Sequence, residues 1–245
     1  MASDSTASPV APARPSLIAP LWHTFSFLLL LAFLAVLDAQ HAHKAQTTQD
    51  AGPAQTAATH VALLRAYLLP ILYEWGIAAW AWGGVLFKGG HLRDLAGHST
   101  NWRSLALDVA IAIPFWGVWE MTKRLILLAL ARVQKPTTPY HPPSGFSEVF
   151  FWILLSVSAG ICEEIVYRGY FQQQFRAATR SIVVAIPLQG LLFGLVHAYQ
   201  GWSHVIVIVA LGILYGTLVA WRRNLHASML AHAWSDLFEG WLRFL

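Results

Sequence analysis

Long apolar runs separated by short polar segments recur along the whole chain. Each run holds about twenty residues, which lets a single α-helix cross a hydrocarbon core of roughly 30 Å. The pattern therefore predicts an all-α, polytopic transmembrane helical bundle of about seven spans. The predicted spans cover residues 17–37, 61–87, 105–121, 149–170, 182–198, 205–221 and 225–245.

The segments between these runs differ in character. Residues 1–16 are rich in Ala, Ser and Pro without periodicity, which predicts a disordered tail. The first apolar run is too long for a signal-peptide core, so we expect it to be retained as a span. Residues 38–60 are polar and are predicted as a loop. The third span should continue as a helix past Lys123 and Arg124, until the Pro-rich sequence PTTPYHPP ends it.

The composition agrees with a protein whose main solvent is lipid. Hydrophobic residues make up 56% of the chain and charged residues 11%, which is too apolar for a water-facing surface. The tryptophans and the net charge of +4 fit aromatic belts and basic flanks at a membrane. No basic block is interleaved with aromatic residues, so we expect no nucleic-acid partner. The single cysteine, Cys162, excludes an intrachain disulfide and a multi-cysteine metal site, but its thiol remains a candidate nucleophile.

Basic residues set the expected orientation. When Lys and Arg are assigned to alternate loops, the side that contains the N-terminus holds slightly more of them, including Arg180, Arg222 and Arg223. The positive-inside rule therefore predicts a multi-pass protein of the cell (inner) membrane with its N-terminus in the cytoplasm.

Ionisable side chains inside the apolar runs concentrate in the second half of the chain. Because a charge within a membrane span is costly, each such residue is a functional candidate. A competing interpretation is a buried charge network that only fixes helix packing. The candidates lie in three motifs: Glu163, Glu164 and Arg168 in SAGICEEIVYRGYF, Phe193 and His197 in FGLVH, and His232 and Asp236 in HAWSD.

Helical spacing separates the two glutamates. Glu164 and Arg168 are four residues apart with the acid first, so they are predicted to pair on one face. Glu163 is turned about 100° away from that face and is left unpaired.

The depth of the candidates can also be estimated. If the fourth and fifth spans form a hairpin that turns near Arg180, Glu163 and His197 are equally far from the turn and lie level. The polar residues 172–174 indicate that the hairpin tip projects from the membrane. Glu163 would then lie roughly 10–15 Å below that surface, and His232 would lie at a similar depth.

A carboxylate and an imidazole around one water are suited to hydrolysis. Glu163 would take a proton from the water while His197 positions it. A second histidine, His232, could donate a hydrogen bond to the oxyanion that develops on a peptide carbonyl. The small-residue pairs Gly190/Gly194 and Gly212/Gly216 predict close helix packing that would support the site without taking part in the chemistry.

The three motifs, in this order on successive spans, resemble those of the CPBP family. EEIVYR, FGLVH and HAWSD are similar to the EExxxR, FxxxH and HxxxN/D motifs of these proteins, which include CAAX proteases of the Ras-converting type and bacteriocin-processing enzymes. The resemblance covers residues 149–245, whereas the transmembrane helices of residues 17–135 carry nothing specific.

The resemblance implies a glutamic-type intramembrane endopeptidase that acts on a peptide or protein substrate within the lipid bilayer, without a cofactor or metal. Glu163 and His197 would activate water, His232 and Asp236 would face the oxyanion, and Glu164, Arg168 and Phe193 would support them. Asp236 departs from the simplest pattern because an ionised carboxylate cannot donate a hydrogen bond. It is either protonated or orients His232.

Four other interpretations remain open. Glu163, His197 and His232 could bind Zn²⁺ in a metalloprotease, although no HExxH motif is present. Cys162 could act as the nucleophile of a cysteine protease. The chain could be a catalytically silent immunity or scaffold protein of the membrane. Acidic residues within the first spans would support a transporter, and these are Glu74, Asp108 and Glu120.

Overall fold

The computed structural model describes residues 15–50, 60–97, 101–130 and 145–242, and it is a helical bundle. The first half contains α1 (Leu21–Asp50), α2 (His60–Leu86), α3 (Leu92–Ala96) and α4 (Trp102–Leu130). The second half contains α5 (Phe146–Glu163), a π-helix (Glu164–Phe171), α6 (Gln172–Thr179), α7 (Ile182–Val196), a 3₁₀ turn (Ala198–Gln200), α8 (Trp202–Arg222) and α9 (His226–Leu242). The predicted all-α class is confirmed.

Within the part of the chain that the structure describes, four helical segments are long and apolar enough to cross a membrane. They are Leu21–His43, Trp102–Leu130, Phe146–Thr179 and Trp202–Arg222. Helix α7 is a shorter apolar helix. The described chain is thus a helical integral membrane protein, while the count of about seven spans stays a prediction.

Several predicted boundaries differ from the structure. The loop predicted from residue 38 is helical as far as Asp50, because α1 continues beyond its apolar run. The short helix α3 was not predicted, since five residues carry no readable periodicity. Helix α4 does continue past Lys123 and ends at Leu130. The predicted tail of residues 1–16 lies, up to residue 14, outside the described residues, as does the Pro-rich segment.

The predicted hairpin is present, with its turn at Arg180. This residue has a φ of 58°, and Ser181 then caps α7 by accepting a hydrogen bond from the backbone N–H of Val184 at 3.3 Å. Helices α7 and α8 pack closely, as the small-residue pairs predicted. A Cβ atom on Gly212 would lie 2.5 Å from the Cα atom of Gly190, so this contact requires glycine.

The bundle has two distinguishable ends. Helix α1 starts at the same end as α6, since Gln174 accepts a hydrogen bond from the backbone N–H of Ile18 at 2.8 Å. The start of α4 and the end of α8 meet there as well, because Arg222 Nε donates to Asp108 Oδ1 at 2.7 Å. We call this the basic end. The C-terminal half of α1, the start of α2 and the end of α7 lie toward the opposite end.

Gln172 and Gln174 do not mark an exposed hairpin tip. Both side chains are buried, with relative exposures of 3% and 1%. Gln172 Nε2 donates to the carbonyl of Gly216 at 3.1 Å, and Gln174 Nε2 donates to the carbonyl of Ala19 at 3.1 Å. Their polarity satisfies backbone groups inside the protein. These glutamines therefore do not mark the membrane surface from which the depth of Glu163 was counted.

Candidate active site

The EEIVYR motif lies where the long helical segment Phe146–Thr179 changes from an α-helix to a π-helix. Helix α5 ends at Glu163, and the next eight residues form a π-helix before α6 continues the segment. All eight residues of the π-helix are buried. Such π segments in longer helices occur frequently at functional sites. The sequence predicted one continuous α-helix here, because hydrophobic periodicity does not distinguish the two windings over so few residues.

Glu163 faces two histidines from different helices. Its Oε1 atom lies 3.7 Å from His197 Nε2, at the end of α7, and its Oε2 atom lies 3.4 Å from His232 Nε2, on α9. Glu163 and His197 therefore meet at the same level, as their equal distances from Arg180 predicted. The structure thus brings together three residues that are far apart in the sequence.

The His197 ring is held by a backbone carbonyl. Its Nδ1 atom lies 2.8 Å from the carbonyl oxygen of Phe193, one turn earlier in α7. An N–H must occupy Nδ1 to make this bond, so the Nε2 atom is the one presented to Glu163. The Phe193 ring also packs edge-on against the imidazole, with centroids 4.9 Å apart. The role of FGLVH is thus to fix both the position and the tautomer of His197.

The His232 ring is held by Glu164. His232 Nδ1 donates to Glu164 Oε1 at 2.9 Å, and the same oxygen lies 2.8 Å from Arg168 Nη1. The predicted Glu164–Arg168 pair is therefore present, and it is fully buried. The sequence did not predict that Glu164 also orients His232, because that contact joins residues on two separate helices.

Asp236 lies on the other side of His232. Its Oδ2 atom is 3.8 Å from His232 Nε2, one helical turn along α9. Asp236 thus approaches the nitrogen that faces Glu163, while Glu164 holds the opposite nitrogen. Both roles considered for Asp236, a protonated side chain or one that orients His232, stay predictions.

Arg168 connects the site to the aromatic core. Its guanidinium carbon lies 4.6 Å from the Phe193 ring centroid and 5.6 Å from that of Tyr215. The Tyr215 ring in turn lies 5.6 Å from that of His232. Buried cations over aromatic faces are stabilised by the ring quadrupoles, so these contacts add to the ion pair with Glu164.

Glu74, on α2, was not predicted as a site residue. It is buried, and it lines the same cavity as Glu163. The sequence did contain one signal for Glu74, which is an acidic residue inside an apolar span, but it was assigned to the transporter alternative.

The other acidic residues of the transporter interpretation are engaged in ion pairs, and the cysteine of the protease interpretation is buried. Asp108 is paired with Arg222, and Glu120 is paired with Lys123 at 3.0 Å. The Cys162 side chain is free of disulfide bonds and fully buried in the hydrophobic core. Among the described residues, no group of three or more His, Cys, Asp or Glu side chains is arranged to hold a metal ion.

A cavity of about 640 Å³ opens beside Glu163 and His197. Its walls come from the C-terminal half of α1, the first half of α2 and the turn after α7, and they include Asp38, Glu74 and Tyr199. These segments lie away from the basic end of the bundle. This candidate catalytic cavity therefore does not extend toward Arg222 and Arg223.

Comparison with known proteins identifies the same half of the chain. Residues 145–238 match the family model described as type II CAAX prenyl endopeptidase Rce1-like, and this match covers less than half of the 245 residues. No curated protein and no solved structure matches the chain. The matched region spans α5 to α9 and contains all three motifs. The resemblance to the CPBP family is thus confirmed over these helices, where the chain is similar to CAAX-type intramembrane endopeptidases.

Proposed function

We propose that the chain is a glutamic-type intramembrane endopeptidase in which Glu163 and His197 activate the water that attacks a peptide bond. The observation that carries this proposal is the position of the Glu163 carboxylate between the Nε2 atoms of His197 and His232. The family match supports CAAX-type endopeptidase activity in general. The contacts of the side chains suggest a role for each residue.

The Glu163–His197 pair leaves hydrogen-bonding capacity for a water. The separation of 3.7 Å is too long for a direct hydrogen bond between the two side chains. With Nδ1–H bound to Phe193, the neutral His197 presents a lone pair at Nε2. A water beside the pair donates one hydrogen to Glu163 and one to His197, and its own lone pair is left free to attack a substrate carbonyl. Transfer of the first proton to Glu163 generates the nucleophile.

His232 is placed to stabilise the opposite charge. Because Glu164 holds its Nδ1–H, the Nε2 atom is the group that faces Glu163. In its doubly protonated form, His232 can donate from Nε2 to the oxyanion of the tetrahedral intermediate. The carboxylates of Glu163, Glu164 and Asp236 surround the ring and attract the positive charge of that form.

Replacing Glu163 tests the proposal directly. Glu163→Gln keeps the shape of the side chain but removes the base, so turnover should fall by about 10²–10⁴-fold while the fold is retained. The cleaved substrate is first identified by comparing protein termini in cells that make the wild-type or the Glu163→Gln protein. Cleavage of the corresponding peptide is then measured with both purified proteins, and folding is checked by circular dichroism.

Two controls separate this mechanism from its rivals. Cys162→Ser should have nearly the wild-type rate, because the buried thiol has no part in the chemistry. A strong chelator should leave the rate unchanged. A wild-type rate for Glu163→Gln would remove Glu163 from the mechanism. Loss of activity with the chelator and its recovery with Zn²⁺ would favour the metalloprotease instead.

A further inference from the structure

A second cavity, of about 910 Å³, lies at the basic end of the bundle. Its lining includes, besides the buried Arg168, four exposed basic residues from four separate parts of the chain, which follow α2, lie in α3, lie in α6 and follow α8. We call it the basic cavity and define it by these residues: Lys88, Arg93, Arg176 and Arg223. The catalytic motifs do not account for this cluster.

Among the described residues, the four cationic side chains have no acidic partners. All four are exposed, and none forms an ion pair with a carboxylate in the part of the chain that the structure describes. One acidic residue, Asp94, lines the cavity with them. Its Oδ2 atom accepts a hydrogen bond from the backbone N–H of His91 at 2.7 Å, at the start of α3. The cavity therefore has an excess of uncompensated positive charge.

Arg168 extends this positive charge into the protein. It lines the basic cavity and is 1% exposed. Its Nη1 atom is paired with Glu164, but Nε and Nη2 have no hydrogen-bond partner among the described residues. A buried guanidinium with unused N–H groups is costly unless a polar partner reaches it. An anion or an ordered water in the cavity would supply such a partner.

Part of the remaining wall is apolar and lies where helices end. Val85 and Val219 come from the last turns of α2 and α8, and Leu95 and Leu225 also line the cavity, together with polar groups such as Gln173 and Asn224. Lys88 and Arg223 follow directly after these helices. Ends of membrane-spanning helices lie at the level of lipid headgroups, where clustered basic residues meet anionic phosphates. An apolar wall beside a cationic cluster matches an anionic head joined to an apolar chain.

We propose that the basic cavity binds the phosphate group of an anionic ligand. Arginine side chains bind phosphate oxygens through paired, charge-assisted hydrogen bonds, and three of the four defining residues are arginines. The phosphate belongs either to an anionic lipid headgroup or to a soluble phosphate compound. This site is separate from the catalytic cavity, so the proposal does not depend on the function proposed for Glu163.

Binding to the purified full-length chain tests the proposal. The protein is placed in phosphatidylcholine nanodiscs, and affinity is measured for two probes, added phosphatidylglycerol and inorganic phosphate. Arg93→Gln combined with Arg176→Gln removes two cations from the cavity. The matched control is Arg103→Gln, an exposed arginine near the start of α4 that does not line the cavity. Circular dichroism and thermal unfolding confirm that both variants are folded.

We expect the double variant to bind about tenfold or more weakly than the wild type, since each lost charge-assisted hydrogen bond is strong. Arg103→Gln should bind like the wild type. Binding of phosphatidylglycerol alone would assign the site to a lipid headgroup. Binding of inorganic phosphate with the same dependence on Arg93 and Arg176 would assign it to a soluble phosphate compound. Equal affinity in all three proteins, or no binding of either probe, would overturn the proposal.

Discussion

At the scale of single residues, the site depends on one oxygen atom with two buried partners. Glu164 Oε1 is paired with Arg168 Nη1 and accepts the hydrogen bond of His232 Nδ1. Glu164 therefore has two functions. It neutralises a buried guanidinium, and it fixes which nitrogen of His232 faces Glu163.

Glu164→Gln should lower both stability and turnover. Removing one partner of a buried ion pair destabilises a protein by about 3–5 kcal/mol, because the remaining charge is left uncompensated. The measurements are thermal unfolding in detergent and the rate of peptide cleavage. Glu120→Gln is the control, since the Glu120 side chain is 13% exposed, against 0% for Glu164, and pairs with Lys123 three residues away on the same helix, so its replacement should cost less. Equal stability losses in the two variants would contradict the role given to Glu164.

Asp236 can be tested by two substitutions of similar size. Asp236→Asn can still form a hydrogen bond beside His232 Nε2, whereas Asp236→Leu cannot. We expect the Asn variant to retain substantial activity. The Leu variant should lose about 10²–10³-fold in turnover, the range found when one oxyanion donor is removed. The rates of the two purified proteins decide this point, and near-wild-type rates for both would remove Asp236 from the site.

At the scale of helices, close backbone contacts hold the helices of the candidate site in register. Helix α7 carries His197 at its end, and it packs against α8 through Gly190 and Gly212. Helix α9 carries His232, and it approaches α5 at Gly160, where a Cβ atom would lie 2.7 Å from the backbone nitrogen of Ala233. These contacts position the two histidines around Glu163.

Gly212→Ala should destabilise the protein, although alanine favours helices. Its Cβ atom would press on the backbone of Gly190, which cannot move aside as a flexible side chain can. Overpacking of this kind costs about 1–3 kcal/mol. Gly76→Ala is the matched control, because nothing lies within 4 Å of its Cβ position in α2. It should be neutral or stabilising by up to about 1 kcal/mol. Thermal unfolding of both variants is the measurement, and an unchanged Gly212→Ala would contradict the packing argument.

At the scale of the whole molecule, the two cavities lie toward opposite ends of the bundle. The catalytic cavity includes Asp38 and His41, near the middle of the long helix α1 and beyond its apolar half. The basic cavity includes Arg93 and Arg223. If the basic end faces the cytoplasm, as the positive-inside rule predicts, the catalytic cavity opens toward the other side of the membrane.

Labelling of single cysteines tests this arrangement. In a Cys162→Ser background, Ala178→Cys reports the basic end and Gln40→Cys reports the end of the catalytic cavity, and both positions are exposed. A membrane-impermeant maleimide should label Gln40→Cys in intact cells, and it should label Ala178→Cys only after permeabilisation. The reverse pattern would invert the orientation. Labelling of both positions from one side would contradict the placement of the two ends.

The sequence alone determined the fold class of the protein and most residues of its candidate site. Long apolar runs leave a backbone no stable option in lipid other than helices, so the all-α fold followed from composition and run length. The three motifs could be recognised because ionisable groups are costly within those runs and therefore mark functional candidates. The meeting of Glu163 and His197 followed from their equal distances to Arg180, because a hairpin places such residues level.

Only the tertiary structure decided which residues from separate helices meet. The contact of Glu164 with His232, the shared cavity of Glu74 and Glu163 and the burial of the glutamines of α6 each join distant segments. Periodicity within one helix shows which face a residue occupies, but it contains no information on what packs against that face. The rotations of helices about their own axes, the π-helix and the direction of the cavity are set by packing between elements, and so they became visible only in the folded chain.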